Sequence, residues 1–206
     1  MNYADLKAAV IGWCNRRNDS QFAAALPNLV ALAEADIASS VRARSMVSRA
    51  TYPIADRYTA LPCDWLEFLD VRVAGEPSPL PFASRLDTIC MPNQGGRPRA
   101  YRLVDGQIEV LPAQSPTASD PPSLEIAYYA RPQALVADTD APALLQEQPA
   151  IYQFVLALYG ATWLEDDEMT QRFNGLSVAA IAKANEWQTS SRYSGGRINS
   201  RARVFG

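Results

Sequence analysis

Fifteen prolines occur in this 206-residue chain, and thirteen of them fall between Pro53 and Pro142. Proline has no amide hydrogen and a locked φ, so a stretch this rich in it cannot hold long helices. It is tolerated at strand edges and in turns, which makes the middle of the chain a region of short strands and loops. Both flanks are poor in proline and space their apolar residues at helical intervals. The order is therefore helices, strands, helices and then a tail.

In the first flank, Asn2 is placed to cap a helix in which Leu6, Val10, Trp13 and Cys14 share one face. The polar stretch from Arg16 to Ser20 breaks it. A second helix lines up Leu26, Leu29, Val30, Ala33, Ile37 and Val41, with Pro27 in its first turn. Arg42 and Arg44 suit its end, where the helix dipole favours cations. After Pro142, Leu144 and Leu145 lead into an apolar helix from Ile151 to Leu164 that carries Tyr152, Phe154, Tyr159 and Trp163. Glu165, Asp166, Asp167 and Glu168 end that helix and start another, roughly 169–189, with Asp166 or Asp167 as its cap.

Between these flanks, period-2 alternation predicts strands over 46–54, 66–73, 101–104, 107–111 and 124–130. Asp105-Gly106 separates the third and fourth of them as a two-residue type I′ turn, the clearest hairpin in the sequence. The stretch from Ser115 to Ser123 reads as a solvated loop. The expected class is α+β: a helical bundle built from the N- and C-terminal helices, with a small antiparallel β subdomain inserted. The expected boundaries are 1–45 for the first helices, 46–136 for the β subdomain, 137–191 for the later helices and 192–206 for an extended C-terminal arm.

Charge sets that arm apart. All 22 acidic residues lie at or before Glu186, whereas Arg192, Arg197, Arg201 and Arg203 follow it. The net charge of −3 is thus −7 on the body and +4 on the last twenty residues. After Ser190 the chain also has too few apolar residues to fold by itself, so it is expected to order only against another polypeptide. The body lacks the basic balance of a general nucleic-acid binder.

No histidine is present. That removes Ser-His-Asp and Cys-His catalysis and His-ligated metals. Cys14, Cys63 and Cys90 are never in a CxxC pair and read as small buried hydrophobes in a reducing compartment. The charged start MNYADLKAAV does not suit a signal peptide, and the uncharged run Gln148 to Leu164 falls short of a membrane span. A soluble protein made in the cytoplasm, with no membrane partner, is expected.

Five groupings are candidates for chemistry. Asp64 and Glu67 flank Trp65 but have no third ligand or base nearby; they read as a turn with Asp64 capping and Trp65 filling the junction of sheet and helices. The acidic run 165–168 lacks the calcium-loop spacing. Gly95-Gly96-Arg97-Pro98 lacks the phosphate-loop frame, and Ser190-Ser191 with Lys183 makes no Ser-Lys motif. Tyr128, Tyr129, Tyr152 and Trp163 have no interleaved basic residues and read as core or interface. No catalytic residue, metal site or cofactor is expected.

Several segments, in order, resemble the head-to-tail adaptor (head-completion, connector) proteins of tailed bacteriophages, especially short-tailed ones. They are YADLKAAV, LVALAEADIASSVRAR, LPCDWLEFLDVRV, GGRPRAYRLVDGQIEVLP, LEIAYYARPQAL, the apolar helix ending in WLEDDE, and ANEWQTSSRYSGG. The resemblance implies a structural virion protein at the head–tail junction, not an enzyme. It implies a homo-oligomeric, twelve-fold ring that extends the DNA channel below the portal and docks the tail. The implied partners are the portal protein, tail or nozzle proteins, and double-stranded DNA passing without sequence-specific binding. Arg192, Tyr193, Arg197, Ile198, Arg201, Arg203, Val204 and Phe205 are the expected portal-binding residues, with Tyr193 and Phe205 as apolar anchors. Alternative readings are a tail-completion or terminator ring, a gatekeeper, or a carboxylate-dependent hydrolase.

Overall fold

The computed structural model of the chain describes residues 1–54, 57–83, 97–112 and 122–193, the last seven of them as backbone. The fold is α+β, with helices at both ends and two small antiparallel sheets between them. It divides into two compact units: residues 1–45 with those from 132 onward, and residues 46–131.

The helical unit contains α1 (Tyr3–Trp13), α2 (Ser20–Ser40), α3 (Ala143–Glu147), α4 (Pro149–Trp163) and α5 (Asp167–Tyr193). Asn2 caps α1 as expected, accepting from the Asp5 amide at 2.8 Å while the Asp5 carboxylate accepts from the Asn2 amide at 3.2 Å. Two further first-turn amides, of Tyr3 and Ala4, donate to the carbonyls of Asp140 and Asp138. The helix start is thereby tied to a loop 134 and 137 residues away in sequence, and no donor of that turn needs water.

The second helix starts earlier than its stripe suggests. Asp19 accepts from the amides of Gln21 and Phe22 at 3.0 Å, so α2 opens at Ser20 and Pro27 lies inside it, not in its first turn. Replacing Asp19 by Ala is expected to remove about 1 kcal/mol of stability, read as a lower urea midpoint at unchanged slope. At the other end, the Arg42 guanidinium donates to the carbonyls of Ala38 and Val41, as the dipole argument requires. By length and composition α2 resembles a membrane span. Its apolar stripe instead meets α4, with Leu26, Leu29, Val30, Ala33 and Ile37 buried.

Helix α4 is the centre of the unit and touches each of the other four helices. It carries no charge, and Ile151, Tyr152, Val155, Leu156, Ala157, Gly160 and Ala161 are all buried. An all-round apolar helix is stable only when covered on every side. Each large side chain removed from water this way contributes about 1.5–3 kcal/mol. Pro149 opens α4 and separates it from α3, so the expected run from Leu144 is two helices rather than one. Trp13 departs from its expected burial: it is 41% exposed and stacks on Phe154 and Phe173 at 5.5 and 5.9 Å.

In the β unit, β1 (Val47–Pro53), β6 (Ser123–Ala130) and β3 (Trp65–Val73) form one sheet in that order. The second sheet has the order β2 (Tyr58–Ala60), β5 (Gln107–Leu111), β4 (Ala100–Val104). The three-residue β2 was too short to show periodicity, and Ser123 lies in β6 rather than in the preceding loop. Asp105 and Gly106 close the β4–β5 hairpin with φ of 50° and 72°, the paired positive angles of a type I′ turn.

One segment joins the two sheets. Leu80 donates to the Val71 carbonyl on the edge of β3, and Tyr101 on the edge of β4 bonds to both Pro81 and Ala83. The stretch from Pro79 to Ala83 therefore covers an edge of each sheet. Both contribute to one core: Val71, Val73, Leu124, Ile126 and Tyr128 from the first, Tyr101, Ile108 and Val110 from the second.

Candidate interaction surfaces

The residues expected to dock on a partner begin on α5. Its backbone stays helical through Arg192 and Tyr193, four residues beyond the expected end near Thr189. Arg197, Ile198, Arg201, Arg203, Val204 and Phe205 lie outside the described residues. The helix that leads into this segment is firmly seated. Phe173, Ser177 and Ala184 are buried, and α5 packs along α4. Asn185 bridges to the end of α2, accepting from the Arg42 amide at 3.0 Å and donating to the Ser40 carbonyl at 3.1 Å. These contacts fasten the helix as far as Asn185.

The chemical candidates resolve into structural roles. Trp65 donates its amide to the Pro62 carbonyl, closing the expected turn, and Asp64 accepts from the Tyr128 hydroxyl at 3.1 Å. Trp65 packs within the β unit, tilted on Phe68 at 5.0 Å, where a junction of sheet and helices was expected. Glu67 is exposed. In the acidic run, Glu165 takes a positive φ of 55° after α4, and the Asp166 carboxylate caps α5 by accepting from the Met169 amide at 2.9 Å. Among the described residues no group of three or more His, Cys, Asp or Glu comes together to hold a metal.

Cys14 is buried, and burial pushes its thiol up, the opposite of an activated nucleophile. Cys63 is exposed, contrary to expectation, and Cys90 lies outside the described residues. So do Gly95 and Gly96, whereas Arg97 pairs with Glu76. Lys183 lines an apolar hollow of about 600 Å³ between the start of α4 and Ala180 and Ala184 of α5. Tyr128, Tyr129 and Tyr152 are buried, and Trp163 tilts on Phe22 at 5.6 Å. They are packing residues.

Sequence reasoning missed Glu109. Alternation along β5 puts it on the outer side with Gln107, yet its side chain is fully buried. Arg102, directly opposite on β4, and Arg57, just before β2, both donate to its carboxylate. Burial alone would raise the Glu109 carboxyl. The hydrogen bonds and charges of the two guanidiniums outweigh it and hold the group below its ordinary value of 4.5. No signal along β5 itself could have shown this, since both arginines come from other strands or loops.

On the other sheet, Arg49, Thr51, Asp70, Arg72 and Glu125 surround a shallow hollow of about 330 Å³. Arg72 bonds Asp70 there, so the hollow mixes signs and favours neither phosphate nor a cation.

The family model of the SU10 adaptor protein matches residues 1–202. The chain belongs to that family. No curated protein matches it. The adaptor is thus a structural protein of phage virions, a component of the head–tail junction. The near-complete match includes the N-terminal helices, both sheets of the β unit and the C-terminal segment as far as Ala202.

Proposed function

We propose that the adaptor assembles as a twelve-fold ring beneath the portal, extends the DNA channel and receives the tail. The family match over residues 1–202 carries this reading. Docking on the portal falls to the C-terminal segment, with Arg192, Arg197, Arg201 and Arg203 facing acidic groups and with Tyr193 and Phe205 as the apolar anchors. Two features support that assignment. The segment holds +4 after a body of −7, and it leaves from a helix seated on α4 and fastened to α2. Such a segment gains its order on binding, which adds contact area that a compact unit lacks. Lateral contacts between helical and β units close the ring, and DNA passes through without being read.

The test is co-sedimentation of the purified protein with portal rings. The full chain should sediment with the portal, and removing residues 194–206, which leaves α5 whole, should weaken binding at least tenfold. Reversing Arg197, Arg201 and Arg203 to Glu should weaken it similarly, and the loss should shrink as salt is raised. Unchanged binding by the truncated chain overturns the assignment of the segment. Failure of the full chain to bind overturns the ring beneath the portal.

A further inference from the structure

The four outer edges of the two sheets are not treated alike. Leu80 and Pro79 cover part of β3, which is also broken by irregularities between Trp65 and Glu67 and between Phe68 and Asp70. Pro81 to Ala83 covers β4, and β2 is only three residues long. Cover, bulges and shortness are the ordinary means of blunting a sheet edge. Strand β1 has none of these three; it carries one outward charge, Arg49, and its proline, Pro53, stands at its last position. It is seven residues long, pairs in unbroken register with β6, and among the described residues nothing pairs with its other edge. Ser48, Ala50 and Tyr52 face inward, the last two against the core, while Val47, Arg49 and Thr51 face out.

The C-terminal segment has the pattern of a strand that fits such an edge. From 197 to 205 it reads RINSRARVF. Ile198, Ser200, Ala202 and Val204 alternate with Arg197, Asn199, Arg201 and Arg203, small or apolar against polar, and Phe205 then falls on the arginine face. A strand of this kind lays small and apolar residues on one face and arginines on the other. Thirteen residues follow Tyr193, a reach of roughly 43 Å when extended. On the outward face Glu125 of β6 lies between Thr51 of β1 and Arg72 of β3, and Arg49 stands on β1 itself, so that face carries both signs.

We infer that residues 197–205 of one copy add as a fourth strand to the open edge of β1 in the neighbouring copy. Backbone bonds supply the attachment, as in strand addition generally. Ile198 and Val204 continue the inward face beside Ala50 and Tyr52. Arg197, Arg201, Arg203 and Phe205 are then held in one outward row, the face offered to the portal. The inference rests on the ring reading but not on the portal contact.

Hydrogen–deuterium exchange on the full chain tests it. In the assembled ring, amides of β1 should exchange at least tenfold more slowly than in the dilute protein. In Ile198→Asp/Val204→Asp that protection should be lost while β6 is unchanged, and a synthetic peptide of residues 194–206 should restore it. Arg201→Glu/Arg203→Glu should keep the β1 protection and lose portal binding. A ring whose β1 amides exchange alike in wild type and Ile198→Asp/Val204→Asp overturns the inference and leaves the ring standing. Protection of β1 that is independent of concentration in a monomer overturns it by placing the segment on its own copy. A chain that never assembles, alone or with portal, overturns both.

Discussion

Replacing Glu109 by Gln will lower the stability of the β unit by about 2–3 kcal/mol at neutral pH, because the change leaves two guanidiniums facing an amide in place of a charge. Three residues form this cluster: a fully buried carboxylate on β5, Arg102 opposite it on β4, and Arg57 ahead of β2. The arginines keep about a quarter to a third of their side-chain surface in water, so they relax toward solvent when the carboxylate goes. That relaxation keeps the loss below the ~3–5 kcal/mol seen when a fully buried pair is broken. The comparison that separates charge from shape is the triple change Arg57→Met/Arg102→Met/Glu109→Leu, which removes all three charges and should recover most of the loss. If the triple variant is as unstable as Glu109→Gln, packing and not pairing explains the site.

The same cluster sets a pH dependence. In the folded state Glu109 gives up its proton more readily than its ordinary value of 4.5 implies. The unfolded chain therefore binds the proton more tightly. The stabilisation is complete above that ordinary value and is lost as pH falls below it toward the folded value. Denaturant midpoints measured from pH 7 down to pH 3 should fall for the wild type. The fall should be shallower for Glu109→Gln, which has lost that titration. Equal slopes would show that Glu109 carries no net interaction.

Gly160→Leu will cost the helical unit about 3 kcal/mol, an overpacking loss at the upper end of the usual range. A Cβ at this position would stand 3.2 Å from the Phe22 ring and 3.3 Å from the Cys14 sulfur. Both neighbours are buried, and Phe22 also packs on the Trp163 ring at the end of α4, so neither can retreat cheaply. Glycine at 160 is what lets α1 and α2 approach α4 closely. Gly160→Ala should lose up to about 1 kcal/mol, because the better helix propensity of alanine is offset by the tight contact. Gly175 on α5 supplies the control. A Cβ there meets nothing within 4 Å, and Gly175→Ala should gain about 0.5–1 kcal/mol. Thermal or urea unfolding that ranks Gly160→Leu with Gly175→Ala would refute the close-approach account.

Much of this architecture was legible in the sequence, and the reason differs from element to element. Asn2 and Asp166 act over three residues, so their caps follow from neighbours in the chain. The Asp105-Gly106 turn needs two positive φ values, which those residue types accept locally. The boundary of α2 was misplaced because its stripe begins later than the cap at Asp19 that starts it. Trp13 was assigned to a buried face because periodicity describes only its own helix; whether Phe154 and Phe173 cover a ring that size wholly or in part is decided by two other helices. Of the expected docking residues, only Arg192 and Tyr193 fall among the described ones, as the last turn of α5.

What the sequence determined by itself was the order of helix and strand, the main caps, the hairpin, and the charge contrast between body and C-terminal segment. Each of these depends on residues a few positions apart, where sterics and hydrogen bonding act regardless of the rest of the chain. The tertiary structure alone decided that Glu109 is enclosed by arginines, that Pro79 to Ala83 closes two sheet edges while β1 stays open, and that Gly160 receives Phe22 and Cys14. These contacts join parts of the chain brought side by side only by folding, and burial, pairing and edge cover are properties of such neighbours.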